Sequence, residues 1–193
     1  MYENCLMGLE ASTVNLHFEI IERCRHGDDA AQYELYRLYS KAMFNTAFRI
    51  CGAREEAEDV LQESFLSAFK HIASYRAEAS FGAWLKRIVV NKALSALKKN
   101  AREALMMEEV VDEHQYEVQN NDTPATIDVD RVRMAVMELP TGFRSVLSLY
   151  LFEGYDHKEI SEILGISEST SKTQYKRAKD KLRSLLEKEV SHG

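Results

Sequence analysis

Three carboxylates, Glu55, Asp59 and Glu63, recur every fourth residue in a run rich in helix formers, with Gln62 beside them. Residues at that interval share one face of a helix. Such a ridge can hold a metal or meet a basic surface. Helical carboxylate metal sites pair glutamates with a Glu-x-x-His pattern, and no histidine is interleaved here. A protein partner with a basic surface, or plain solvent, is the better reading.

A second set has the opposite sign. From Trp84 to Arg102 there are six basic residues and no acidic one. With about 100° per helical residue, Trp84, Arg87, Asn91, Lys98 and Arg102 fall within about a sixth of a turn. Leu85, Val89 and Ala96 fall roughly opposite and suit a core. An aromatic ring among cations suits unstacked DNA, whose bases stack while phosphates pair with Lys and Arg. The competing reading, that Trp84 is a core residue, stays open on position alone.

A third set closes the chain. From Glu168 to Lys188 there are seven basic residues against three acidic ones. A short apolar helix from Asp156 and the turn Gly165-Ile166-Ser167 precede it. That order is a helix-turn-helix, in which the first helix braces the second and the second reaches base edges in the major groove. Tyr175, Ala178, Leu182 and Leu185 fall on the inward side, leaving Thr170, Lys172, Thr173, Lys176 and Arg177 for DNA. The plain alternative is a solvated basic helix ending a bundle.

These sets must be positioned by helices. The 193 residues, 45 % hydrophobic and 29 % charged, include only two prolines, at 124 and 140. Good helix formers fill the stretches between glycines, and no alternating β-branched run bounded by hairpin turns occurs. The sequence therefore predicts an all-α chain. A first helix near 15–26 stops at Gly27. Asp29 and Gln32, at capping-box spacing, open a second to about Ile50, stopped by Gly52. A third runs from about 54 to 74, and Ser80 caps a fourth from Phe81 to about Asn100. Further on, helices fall at 127–138 and 141–152, split by Pro140. Asp156 and Glu159 cap the next, Gly165 stops it, and Ser167 caps a last one to about Lys188.

The net charge of −6 is unevenly spread. Residues 1–100 are neutral overall, residues 131–193 carry +2, and residues 101–130 carry −8. The acidic stretch lacks apolar periodicity and holds Asn120, Asn121, Asp122 and Pro124, so it reads as a flexible linker. The expected organisation is an N-terminal tail over 1–14, a four-helix domain over 15–100, the acidic linker over 101–130 and a helix-turn-helix domain over 131–190. Cys5, Cys24 and Cys51 are odd in number and lack a CxxC pair, against a disulfide framework or cysteine zinc site. No signal peptide is read before Phe18, and no apolar run approaches the ~20 residues of a membrane span. A reduced, cytoplasmic protein without membrane insertion is expected, with no module after residue 193.

The runs "AEDVLQESFLSAFKHI" and "SFGAWLKRIVVNKALSALKK" resemble region 2 of sigma-70 family factors, in the small extracytoplasmic-function group. The run "LPTGFRSVLSLYLFEGYDHKEISEILGISESTSKTQYKRAKDKLRSLL" resembles region 4 of the same group. The likeness spans about 28–100 and 131–188, in the family's order. It implies a sigma factor that binds core RNA polymerase at the β′ clamp and β flap, recognises and melts promoter DNA, and directs initiation. It also implies an anti-sigma partner, no cofactor and no catalytic residue. Asp59, Gln62, Glu63 and Phe65 fall on the motif that grips the clamp. Arg76 to Ser80 fall on the loop that selects the −10 element. The helix carrying Phe81, Trp84, Arg87, Asn91 and Lys98 falls on the part that melts the element and holds the non-template strand. Residues 156–177 fall on the −35 reader, and the linker would thread toward the polymerase active centre. Many members carry Gly-Thr-Val where this chain has Ser169-Thr170-Ser171, and Arg where it has Gln174.

Three other readings compete. A stand-alone helix-turn-helix regulator explains 141–188 but leaves the acidic ridge and residues 76–102 idle. A nuclease built on Glu55, Asp59 and Glu63 would need a metal. A helical adaptor or sigma antagonist would not bind promoter DNA.

Overall fold

The computed structural model describes residues 17–106 and 129–190, with 101–106 and 188–190 described by backbone alone. All regular structure among these residues is helical: α1 (17–25), α2 (Asp29–Cys51), α3 (Arg54–Lys70), a 3-10 turn (Ile72–Ser74), α4 (Phe81–Met106), α5 (Val129–Met137), α6 (Thr141–Leu151), α7 (His157–Leu164) and α8 (Glu168–Val190). Among them no helix is long and apolar enough to cross a membrane. The N-terminal tail read at 1–14 and most of the acidic linker lie outside the described residues.

Local chemistry sets most boundaries. Gly27 and Gly52 take positive φ, +79° and +90°, where the chain turns out of α1 and α2. Asp28, rather than Asp29, caps α2: its carboxylate accepts from the N–H groups of Ala30 and Ala31 at 2.9 and 3.1 Å. Arg23 bonds the same carboxylate at 2.8 Å and, with those amides, holds it below the usual carboxylate range. The capping box expected from Asp29 and Gln32 is thus replaced by its neighbour. α3 ends at Lys70, and the rest of the expected third helix tightens into the 3-10 turn. α4 continues six residues past Asn100, into the stretch read as linker.

The chain divides into two compact units, Met1–Ala47 with Ala57–Lys92 and Phe48–Glu56 with Ala93–Gly193, so α2, α3 and α4 each contribute to both. In the first unit Leu35, Val60, Phe65, Leu85 and Val89 are buried. At its aromatic end Tyr75, Phe81 and Trp84 pack edge and tilt against one another, with ring centroids 5.4–5.5 Å apart.

In the second unit Val136, Leu139, Leu147 and Ala178 form a core that Phe143, Tyr175, Leu182 and Leu185 close over. This is the inward side read for the last helix. Beside it lies a buried cation, Arg144, only 6 % exposed. Its guanidinium donates to the carbonyls of Met137 (3.0 Å), the last residue of α5, and Leu139 (3.2 Å), two residues on. It also donates to those of Arg49 (3.1 Å) and Cys51 (3.4 Å) at the end of α2. The last carbonyls of a helix have no partner within it, and a positive charge there suits both helix dipoles. Arg49 in turn pairs with the Glu153 carboxylate at 2.5 Å.

Cys24 and Cys51 are both free and buried. Burial pushes their thiols up to about 11 and about 12 respectively. Protonated, enclosed thiols make poor nucleophiles and metal ligands. Cys5 lies outside the described residues.

Candidate nucleic-acid interface

The ridge on α3 forms because Ala57, Val60, Leu61, Ser64, Phe65 and Ala68 take the inward side. Glu55, Asp59, Gln62 and Glu63 are left exposed. Glu63 pairs with Lys92 at 3.0 Å, an exposed contact worth at most about 1 kcal/mol and readily exchanged for another cation. Phe65 does not join the ridge. It is 3 % exposed and packs on Tyr36 and Phe69 with ring centroids 4.8 and 5.8 Å away. The apolar residue presented among the acids is Leu66, 71 % exposed. It stands three residues after Glu63 and seven after Asp59, so helical spacing alone could have singled it out. Among the described residues no group of three or more His, Cys, Asp or Glu is placed to hold a metal ion.

α4 divides as its periodicity requires. Leu85 and Val89 are fully buried, Ala96 is half-buried, and Arg87, Asn91 and Lys98 are exposed. Trp84 is half-buried, one side against Tyr75 and Phe81. It therefore belongs partly to the aromatic end of the unit and partly to the basic face. Phe81 is core, 3 % exposed. Ser80 begins the helix, its hydroxyl accepting from Ala83 N–H at 3.3 Å. Arg76 to Ser80 are all exposed.

The helix-turn-helix is fully built. Asp156 and Glu159 form a reciprocal capping box at the start of α7, and Gly165 ends it in the left-handed conformation. The Ser167 hydroxyl accepts from Thr170 N–H at 3.0 Å and opens α8. Lys172, Thr173, Lys176 and Arg177 are exposed and Thr170 half-buried. Lys172 pairs with Glu168 at 2.6 Å, and this bond holds the Glu168 carboxyl below its usual range. Both threonine hydroxyls are engaged locally: Thr170 with Ser167 at 2.8 Å, and Thr173 donating to Ser169 O at 2.9 Å.

Ser171 is fully buried, and its hydroxyl lies 2.9 Å from His157 Nδ1 on α7. The imidazole stacks on Tyr150 at 4.7 Å and meets Tyr175 edge-on at 5.5 Å. A serine at a packing position is thus satisfied by the other helix of the motif, a partnership the sequence reading missed.

Comparison with known proteins agrees with this geometry. Residues 35–103 match the family description "Sigma-70 region 2" and residues 130–182 match "Sigma-70, region 4". The ECF RNA polymerase sigma factor SigM of Mycobacterium tuberculosis is 30 % identical over 161 residues, covering 83 % of this chain and 79 % of the relative. The chain belongs to the extracytoplasmic-function sigma factors of the sigma-70 family. SigE of Mycolicibacterium smegmatis is 29 % identical over 173 residues, 86 % of this sigma factor, which spans 66 % of that relative's length. The fold resembles that of the sigma factor RpoE, solved with the anti-sigma factor NepR from Bartonella quintana. The TM-score is 0.60 at 22 % identity, over 80 % of this sigma factor and 96 % of that chain.

Proposed function

We propose that this sigma factor binds core RNA polymerase at the β′ clamp and β flap, selects and opens promoter DNA, and starts transcription without catalysing a reaction itself. Residues 15–100 act as the polymerase-binding and −10 domain, 101–130 as an acidic linker and 131–190 as the −35 domain. The sigma factor RpoE from Bartonella quintana was solved in complex with an anti-sigma factor, and an anti-sigma partner is part of this proposal. The observation that carries the reading is the α3 ridge, where Asp59, Gln62 and Glu63 stand exposed around Leu66. A stand-alone helix-turn-helix regulator has no use for such a surface, whereas a basic clamp partner does. The deciding experiment is run-off transcription from genomic fragments with core polymerase, with and without this protein. Defined start sites that need both would support the reading, and none would end it.

Reversing the charges of Asp59 and Glu63 together is expected to weaken core binding while the thermal midpoint stays near that of the parent. Exposed substitutions usually shift stability by less than about 0.5 kcal/mol, and the Glu63–Lys92 pair adds little. Leu66→Ala is expected to act in the same direction. Fluorescence titration of core polymerase checks this, and unchanged affinity in the double reversal would remove the ridge from the polymerase interface.

On α8 the two kinds of DNA contact are separable. A cation that only neutralises a phosphate should, as Ala, weaken all promoters alike and lower the salt slope by about 1. A base reader should cost roughly 1–3 kcal/mol at one −35 position. Lys172 and Lys176 lie nearer the helix start, where base edges are met, and are assigned base contact. Arg177 is assigned a phosphate. Holoenzyme affinity for −35 variants at several salt concentrations tests each assignment. Three Ala variants indistinguishable from the parent would exclude α8 from DNA reading.

A further inference from the structure

Between the 3-10 turn and α4 the chain crosses five exposed residues, 76–80. They carry few side chains that could pack, yet the loop is held from beneath at several points by one buried residue. Tyr75 is 7 % exposed. Its N–H donates to Ile72 O at 3.1 Å. Its phenol reaches across the loop and donates to Ala79 O at 2.7 Å, closing residues 75–79 into a ring. Its own carbonyl accepts from the Arg25 guanidinium of α1, which Glu22 steadies at 2.5 Å. Its aromatic face rests on Phe81 and Trp84.

Within that ring Ala77 has φ of +57°. This left-handed conformation is disfavoured for a non-glycine residue and persists only where the surroundings enforce it. Residues joined by such a short exposed stretch would otherwise sample many shapes. The hydrogen bonds at Tyr75 remove that freedom and fix how the backbone of 76–80 faces solvent.

We propose that Tyr75, anchored by Arg25, is the positioning residue of the −10 loop, and that its hydroxyl sets base discrimination there. The inference rests on the reading of 76–80 as the −10 selector. Tyr75 touches no base in this account. It acts through Ala79 and Ala77, so its loss leaves the recognising groups present and lets them wander.

The test is run-off transcription by holoenzyme on templates carrying each base at each −10 position, with start-site yield as readout. Tyr75→Phe keeps the ring on Phe81 and Trp84 and removes only the bond to Ala79. One neutral hydrogen bond corresponds to roughly a threefold to tenfold effect. That loss of discrimination is expected in Tyr75→Phe, while −35 preference stays at the parental value and the domain stays folded at the assay temperature. Arg25→Met, which frees the Tyr75 carbonyl, is expected to relax the same positions. Equal loss on every template, or a change confined to thermal stability, would overturn the proposal, since a purely structural residue behaves so. Arg76→Ala and Ser80→Ala, run alongside, separate the two levels. If they alter −10 preference and Tyr75→Phe does not, the positioning role fails and the loop assignment stands. If none of the variants alters it, the loop assignment itself fails.

Discussion

Trp84→Ala is expected to give a holoenzyme that still binds duplex promoter DNA but yields about a tenth of the open complex, or less. Stacking of a base on an aromatic ring is worth roughly 1–3 kcal/mol, and each 1.4 kcal/mol is about tenfold. The half-buried position makes this testable, because one face of the indole packs on Tyr75 and Phe81 while the residue keeps exposed surface. Removing a fully buried tryptophan costs about 3–5 kcal/mol. A partly exposed one should cost less, leaving the domain folded at 25 °C. A premelted template should restore most of the yield, because opening no longer has to be driven by capture of the bases. Permanganate footprinting on duplex and premelted templates measures both. A defect that persists on the premelted template, together with a melting temperature lowered as for a core residue, would refute a direct part in opening.

The second large effect concerns stability. Arg144→Met is expected to lower the unfolding free energy by about 3 kcal/mol. The carbonyls of Met137, Leu139, Arg49 and Cys51 all receive the guanidinium. Met fills a similar volume but donates nothing, and each buried acceptor left unpaired costs about 1–3 kcal/mol. Water reaching one or two of them limits the sum. Gly52→Ala should act in the same direction by a different route. Gly52 has φ of +90°, and a Cβ there would stand 2.4 Å from the Arg144 Nη2. The guanidinium would have to move, and the new side chain would sit in a disfavoured backbone region. Urea denaturation of both variants decides the matter. A midpoint unchanged in Arg144→Met would mean that solvent or other donors replace the side chain without loss.

Features governed by neighbours in sequence were legible. Gly27, Gly52 and Gly165 stop helices, and the Asp156–Glu159 box and the Ser167 cap form as their spacing requires. The burial of Leu85, Val89 and Ala178 follows from helical period alone. Two local misreadings have simple causes. Asp28 and Asp29 are both capable caps, and backbone geometry rather than residue type selects the first. Charge alone would end α4 near Asn100, but Ala-Arg-Glu-Ala-Leu-Met is strongly helix-forming and continues it to Met106. What could not be read depends on partners distant in sequence. The burial of Arg144 depends on carbonyls as far as 95 residues away. Nothing in the type of Tyr75 reveals that its hydroxyl closes a ring through Ala79.

The His157–Ser171 bond bears on how this chain can be rewired. Under the proposed function, promoter preference would be altered most simply by transplanting α8, because its outward residues could be exchanged without touching the fold. Here that unit is not self-contained. A graft of α8 onto a scaffold lacking a histidine at the start of the bracing helix would seal the Ser171 hydroxyl into an apolar seat with no acceptor, at about 1–3 kcal/mol. The converse graft, a reading helix with Val in that place set against His157, would deprive the imidazole of its bond and crowd it against Tyr150 and Tyr175. His157 and Ser171, 14 residues apart, therefore form one heritable unit, and a chimera that preserves the recognition surface must draw its boundary before Asp156 rather than at Gly165.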